Sequence, residues 1–170
     1  MKIKILRVSI NELVEAIIRK GDLEELPSIH TGWRFNFDKH ARKLSYARAY
    51  VLVCEDTPEL IEGCMIFQMK DKTIPYMAFL EVAPHNKGAN KKHDHVAGCL
   101  IAHACKISLK EAKGDYIGAL VFDVMERLEE DQQKLMKLYT EKYHANAVDN
   151  HTMIILPEAA AALINEYLNN

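Results

Sequence analysis

The chain has 170 residues, 49% of them hydrophobic and 27% charged, the balance of one folded domain spanning 1–170 and not of a disordered chain. Lys and Arg number 22 against 24 Asp and Glu, a formal charge of −2 with histidine neutral. That near-neutral balance argues against a nucleic-acid coat or a polybasic membrane binder, so neither partner is expected.

The N-terminus, MKIKILRVSINE, is charged and lacks the apolar run of a secretory signal. Lys2 to Val8 alternates and reads as a strand. Ser9 or Asn11 then caps a predicted helix in which Leu13, Ile17 and Ile18 recur at helical spacing, and Gly21 ends it. Residues Gly32–Leu44 are irregular, with Asp38 the expected N-cap of a short helix. Trp33, Phe35, Phe37 and Tyr46 fit either a groove or the core, and aromatic burial favours the core.

Tyr46–Cys54 and Ile61–Met69 are strand-like runs parted by the turn-forming Glu55–Glu59, a hairpin pattern, and Tyr76–Val82 is a third strand. A polar loop, His85–Asp94, leads into a small-residue helix from His95 to Ala112. Tyr116–Val124 reads as a buried strand, and Arg127–Tyr143 as an amphipathic helix with Leu128, Leu135, Leu138 and Tyr139 on one side. Thr152–Leu156 is a short strand before a last helix opened by Pro157 and ending near Leu168. The order β-α-α-β-β-β-α-β-α-β-α predicts an α/β (α+β) domain with a mixed sheet flanked by helices. Cys54, Cys64, Cys99 and Cys105 have no CxxC spacing and sit among apolar residues, which predicts buried free thiols and a cytoplasmic, reducing setting.

The loop carries the chemical signal. Residues 85–95 hold three lysines and three histidines against one aspartate and run straight into a helix N-terminus. Unpaired N–H groups and the positive end of the helix dipole attract phosphate there, and Ala97, Gly98 and Cys99 are small enough to admit it. The alternative is that Asp94 caps the helix and the lysines only solvate a surface loop. GxxxxGK[ST], GxGxxG and GxSxG motifs are absent, which leaves nucleotide hydrolysis, dinucleotide redox and acyl-enzyme chemistry without their motifs. His93 and His95 have metal-ligand spacing, but no carboxylate or cysteine cluster completes a coordination sphere in the sequence, so no metal is expected. His103, within an apolar helix, reads as a hydrogen-bonded core histidine.

From about Tyr46 to Leu156 the chain resembles the GNAT N-acetyltransferase superfamily. The likeness rests on the hairpin and third strand, then Val82-x-Pro84-x-x-Lys87-Gly88, the helix opening Val96-Ala97-Gly98-Cys99-Leu100-Ile101, and Leu138-Tyr139 in the following helix. It implies a mostly antiparallel sheet with two splayed parallel strands, Tyr76–Val82 and Tyr116–Val124, and a C-terminal helix. It also implies acetyl-CoA as cosubstrate, its diphosphate cradled by Val82, Ala83, Lys87, Gly88, Lys92, His95, Val96, Ala97 and Gly98. Lys92 stands where the family has Gln or Arg, and His95 where it has a central glycine.

The implied reaction is direct acetyl transfer to an amine acceptor, which the sequence does not identify. Glu81 is the implied base, with His85 the alternative, Tyr139 the acid that protonates the departing thiolate, and the Val82 N–H or a neighbour the donor to the thioester carbonyl. An aminoacyl-tRNA acceptor, as in toxins of the family, is disfavoured by the lack of basic surface. The competing reading is a non-catalytic CoA-binding or interaction module on the same fold. A homodimer is compatible with either.

Overall fold

The computed structural model describes residues 1–169. It opens with a hairpin of β1 (Lys2–Arg7) and β2 (Glu12–Lys20), turned through residues 8–11 with Asn11 at φ 53°. A strand thus replaces the helix that the spacing of Leu13, Ile17 and Ile18 predicts. Those positions satisfy both periods locally. What decides is the β-branched content at Val14, Ile17 and Ile18, together with ladder partners on both sides, β1 and β3. Ala16 and Ile18 are fully buried while Leu13 stays exposed, the alternation of a pleat. Ser9 and Asn11 belong to the turn and cap nothing.

After a short 3₁₀ turn at Ile29–Thr31, helix α1 (Phe37–Lys43) has Asn36 at its N-cap, with Asp38 inside the first turn. The meander that follows, β3 (Ala47–Cys54), β4 (Thr57–Lys70) and β5 (Ile74–Val82), is antiparallel, as the sequence predicts. Three register shifts interrupt it, one of them between Val53 and Cys54, which faces Thr57. Leu52 faces Gly63 and Val53 faces Ile61, so Glu62 has no opposite residue. Ile66 faces Phe79 and Phe67 faces Met77, so Ala78 has none. Each bulge re-aims the side chains beyond it.

The remaining elements are β6 (His93–Asp94), α2 (Val96–Glu111), β7 (Leu120–Asp123), α3 (Glu129–Tyr143), β8 (Asn146–Ala147), β9 (Thr152–Ile155) and α4 (Pro157–Leu168). The predicted strand Tyr116–Val124 begins only at Leu120, because Gly114–Tyr116 forms a 3₁₀ turn and Gly118 takes a φ of 79°. One sheet runs β6-β1-β2-β3-β4-β5-β7-β9-β8, antiparallel except for β5 beside β7.

Two cores lie on its faces. The larger packs α2, α3 and α4 over Leu52, Met65, Phe67 and Phe122. The smaller gathers Trp33 and Phe37 with Val51, Cys64 and Ile66. All four cysteines are buried free thiols, as predicted. The inner face of α3 is Leu135, Met136, Tyr139 and Tyr143, whereas Leu128 and Leu138, expected on that side, are exposed. His103 also departs from expectation, since both ring nitrogens lack a hydrogen-bond partner among the described residues and the Tyr50 ring stands edge-on to it at 4.7 Å. No helix among the described residues is long and apolar enough to cross a membrane.

Candidate functional site at the splayed strands

Strands β5 and β7 meet at a single register pair, Tyr76 with Val121. Beyond it they diverge, and a cavity of about 990 Å³ passes between them. That volume lies at the upper end of the range of small-molecule sites, roughly 300–1,000 Å³. The bulge at Ala78 shapes its β5 wall: Met77, Leu80 and Val82 pack toward the helices, while Ala78 and Phe79 pack with the smaller core. The cavity is accordingly lined from both sides of the sheet, by Leu135 and Tyr139 of α3 and by Arg34, Phe35 and Tyr46. The aromatic quartet therefore divides, with Trp33 and Phe37 in the core and Phe35 and Tyr46 on the cavity.

Tyr139 lies in this cavity, its ring 4.7 Å from that of Phe122. Its hydroxyl has no hydrogen-bond partner among the described residues. Burial, reinforced by the Glu126 charge, pushes the phenol up to about 12, so it carries its proton throughout the neutral range.

Glu81 is not part of that lining. The bulge turns it toward the 33–37 segment, where its carboxylate accepts the backbone N–H of Arg34 at 2.8 Å and of Phe35 at 3.2 Å and pairs with Lys87 Nζ at 2.5 Å. The Arg34 side chain then reaches across the cleft to Glu126 Oε1 at 2.5 Å and the Met125 carbonyl at 3.3 Å. One residue thus ties together the two sides of the opening. Of the remaining carboxylates on the cavity, Asp123 accepts the Tyr76 hydroxyl at 2.7 Å and the Thr152 hydroxyl at 2.8 Å.

The diphosphate-loop candidates separate into several roles. Gly88, at φ 73° with open space around it, makes a turn that suits glycine. Lys87 is engaged by Glu81, Lys92 is exposed, and Ala83 and Val96 are buried. Gly98 is small for a reason other than ligand access: a Cβ there would stand 2.3 Å from Tyr167 Cε1, so α4 fills the space. Val82 and Ala97 are half-buried.

His95 occupies the N-cap of α2 in the left-handed region, φ 69°, with its ring edge-on to Tyr167. Asp94 does not cap the helix in the usual way but accepts the His95 N–H at 2.8 Å and pairs with Lys91. Burial would raise its carboxyl, but Lys91, the His95 N–H and Lys142 hold it below the usual carboxylate range. Because alanine shares the positive-φ strain that glycine escapes, His95→Gly should be about 1 kcal/mol more stable than His95→Ala in denaturant unfolding.

A second group of polar residues lies under the loop and was concealed in the sequence. Glu62, wholly buried, holds its Oε2 at 2.7 Å from His85 Nε2, 2.6 Å from Asn86 Nδ2 and 3.0 Å from His93 Nδ1. Burial would raise this carboxyl; the hydrogen bonds from Asn86 and His85 and the electrostatic influence of the His93 and His85 rings bring it below its ordinary value. His85 is therefore committed to Glu62 and lies outside the cleft lining. His93 and His95 do not act together: His93 turns inward to Glu62 and Cys54, whereas His95 turns to α4. The residues that surround His93 come from β1, β3 and β4, far away in the chain, and from Asn86 in the loop.

No protein-family model matches the sequence, and no curated protein does. Solved structures do match. N-acetyltransferase PseH of Campylobacter jejuni, in complex with acetyl coenzyme A, is 18% identical with a TM-score of 0.52, over 82% of this chain and 99% of that one. Spermidine N-acetyltransferase SpeG of Vibrio cholerae is 13% identical with a TM-score of 0.56, over 85% and 95%. A KacTA–DNA complex gives 13% and 0.58, over 89% and 99%. The chain has the fold of the GNAT N-acetyltransferases.

Proposed function

We propose that the protein is an acetyl-CoA-dependent N-acetyltransferase that moves the acetyl group directly to an amine. The observation that carries this reading is the cavity through the splay of β5 and β7, with the unpartnered Tyr139 hydroxyl inside it. Strand edges left unpaired beyond Tyr76 offer backbone groups to an extended pantetheine arm, as an added strand would use them. The diphosphate belongs at the α2 N-terminus with Val82, Ala83, Gly88, Lys92, His95, Val96 and Ala97 nearby, and Lys87 available once it leaves Glu81. An acceptor then approaches from the Phe35 and Tyr46 side.

The bulged backbone at Ala78, within the cleft, suits the donor that polarises the thioester carbonyl better than Val82 does. Attack of the neutral amine on that carbonyl expels the CoA thiolate, which Tyr139 protonates. The amine proton leaves through water to solvent. Glu81, with its oxygens taken by two backbone N–H groups and a lysine, serves to hold the Arg34–Phe35 wall in place. The reaction needs no metal.

Thermal unfolding with and without acetyl-CoA, with adenosine diphosphate as control, tests the reading. At about 100 times its dissociation constant acetyl-CoA stabilises the folded state by roughly 2.7 kcal/mol. A shift larger than the control, followed by turnover in an amine panel, is the expected result. A shift with no turnover on any amine favours a CoA-binding module, and no shift at millimolar acetyl-CoA removes the enzyme reading.

A further inference from the structure

We propose that Glu62 is a positioning residue for the diphosphate end of the cosubstrate, acting through the loop between β5 and α2. The inference rests on the acetyl-CoA reading above and adds to it a residue outside the cleft. Glu62 sits at the β4 bulge, wholly buried, and grips the loop at both ends. At the near end its backbone carbonyl accepts the Ala83 N–H at 2.8 Å and Asn86 Nδ2 at 3.1 Å. Its carboxylate Oε2 accepts His85 Nε2 at 2.7 Å and the same Asn86 amide at 2.6 Å. At the far end Oε2 accepts His93 Nδ1 at 3.0 Å, while Asn86 Oδ1 accepts the His93 N–H at 2.9 Å.

The chain from 83 to 93 is thus folded back around one carboxylate. The His85 carbonyl accepts the Lys92 N–H at 3.0 Å, which closes the loop on itself. Residues 87–90 are left exposed at the tip, and His93 leads through Asp94 into the start of α2. The tip and the first N–H groups of α2, the two parts assigned to the diphosphate, take their place from this clasp.

The His93 ring is fixed from its other side as well. Arg7 Nε donates to His93 Nε2 at 3.2 Å, and Asp56 holds Arg7 Nη2 at 2.7 Å. With Nε2 an acceptor, the ring proton sits on Nδ1 and points at Glu62. Stability alone does not account for the acid. Glu62 Oε1 is buried with no hydrogen-bond partner among the described residues, and an apolar side chain would be buried there at less cost. Preordering the loop supplies the reason, since a loop already shaped loses less freedom when its ligand arrives.

Dissociation constants for acetyl-CoA and for S-acetylpantetheine, which lacks the diphosphate and is titrated to millimolar concentration, test this on the full-length protein. Glu62→Ala should weaken acetyl-CoA about 10-fold and leave S-acetylpantetheine unchanged, so the ratio of the two constants shifts by that factor. Glu62→Gln keeps an acceptor oxygen toward the loop and should recover acetyl-CoA affinity to within about 3-fold of the parent. Asn86→Ala opens the clasp from the loop side with Glu62 intact; it should repeat the selective loss, and it carries the test if Glu62→Ala does not fold. An unchanged ratio in the folded variant overturns the proposal alone, as does an equal weakening of both ligands, the mark of a purely structural acid. A parent protein that does not bind acetyl-CoA overturns the acetyl-CoA reading and this inference with it.

Discussion

Replacing Tyr139 by phenylalanine should lower kcat for acetyl transfer by about 10²–10⁴-fold, the usual contribution of a positioned general acid. The substitution keeps the ring that packs on Phe122 and removes only a hydroxyl with no hydrogen-bond partner among the described residues. Acetyl-CoA affinity should therefore change little, and the loss should fall on kcat and not on KM. With the phenol at about 12, the rise and fall of rate across neutral pH reports on other groups, so the Tyr139→Phe profile keeps its shape while dropping in height. An unchanged kcat would remove Tyr139 as the acid and leave the thiolate to depart unassisted.

The second large effect concerns stability and comes from His103. Burial, then the positive charges of the N-terminus, Lys106, Lys110 and Arg48, lowers its imidazole from 6.5 to about 4. Between those values the unfolded chain binds a proton that the folded chain refuses, so stability rises with pH across that window and is lost on acidification. The shift corresponds to roughly 3 kcal/mol between pH 7 and pH 4. His103→Leu removes this dependence and fills the same apolar space. Denaturant unfolding at the two pH values should show the parent losing about 3 kcal/mol more than the variant. Equal losses would mean that His103 finds a proton acceptor in the folded state.

Much of this fold is legible from local pattern, and the exceptions share a cause. The meander, α2, α3 and α4 announce themselves by sustained periodicity bounded by turn residues or Pro157. Strand β2 does not, because Val14, Ile17 and Ile18 fit a helix face as well as a pleat, and only the ladders to β1 and β3 decide between them. The same holds for the site. Tyr139 and the loop before α2 are readable by their place in a family pattern, whereas the surroundings of Glu81 depend on a bulge.

Glu62 is the clearest case. Written as Ile61-Glu62-Gly63-Cys64, it looks like the solvent-facing member of an alternating strand. The skipped register between Leu52 and Val53 places it inward instead, opposite nothing on β3 and against the loop histidines. Its one sequence signal is Gly63, whose missing side chain leaves room for Val96 and Leu100 of α2 to press onto the strand at that point. Bulges are set by partners distant in the chain, and no local spacing reports them.

The nine-stranded sheet ends in β6 on one side and β8 on the other, each only two residues long. So brief a row of open N–H and C=O groups gives a neighbouring molecule almost nothing to template on. At high concentration, or while still emerging from synthesis, the chain is shielded from the strand-by-strand growth that long sheets invite. Self-association through these two outermost strands is therefore disfavoured, and side-chain surfaces are the better-supplied alternative.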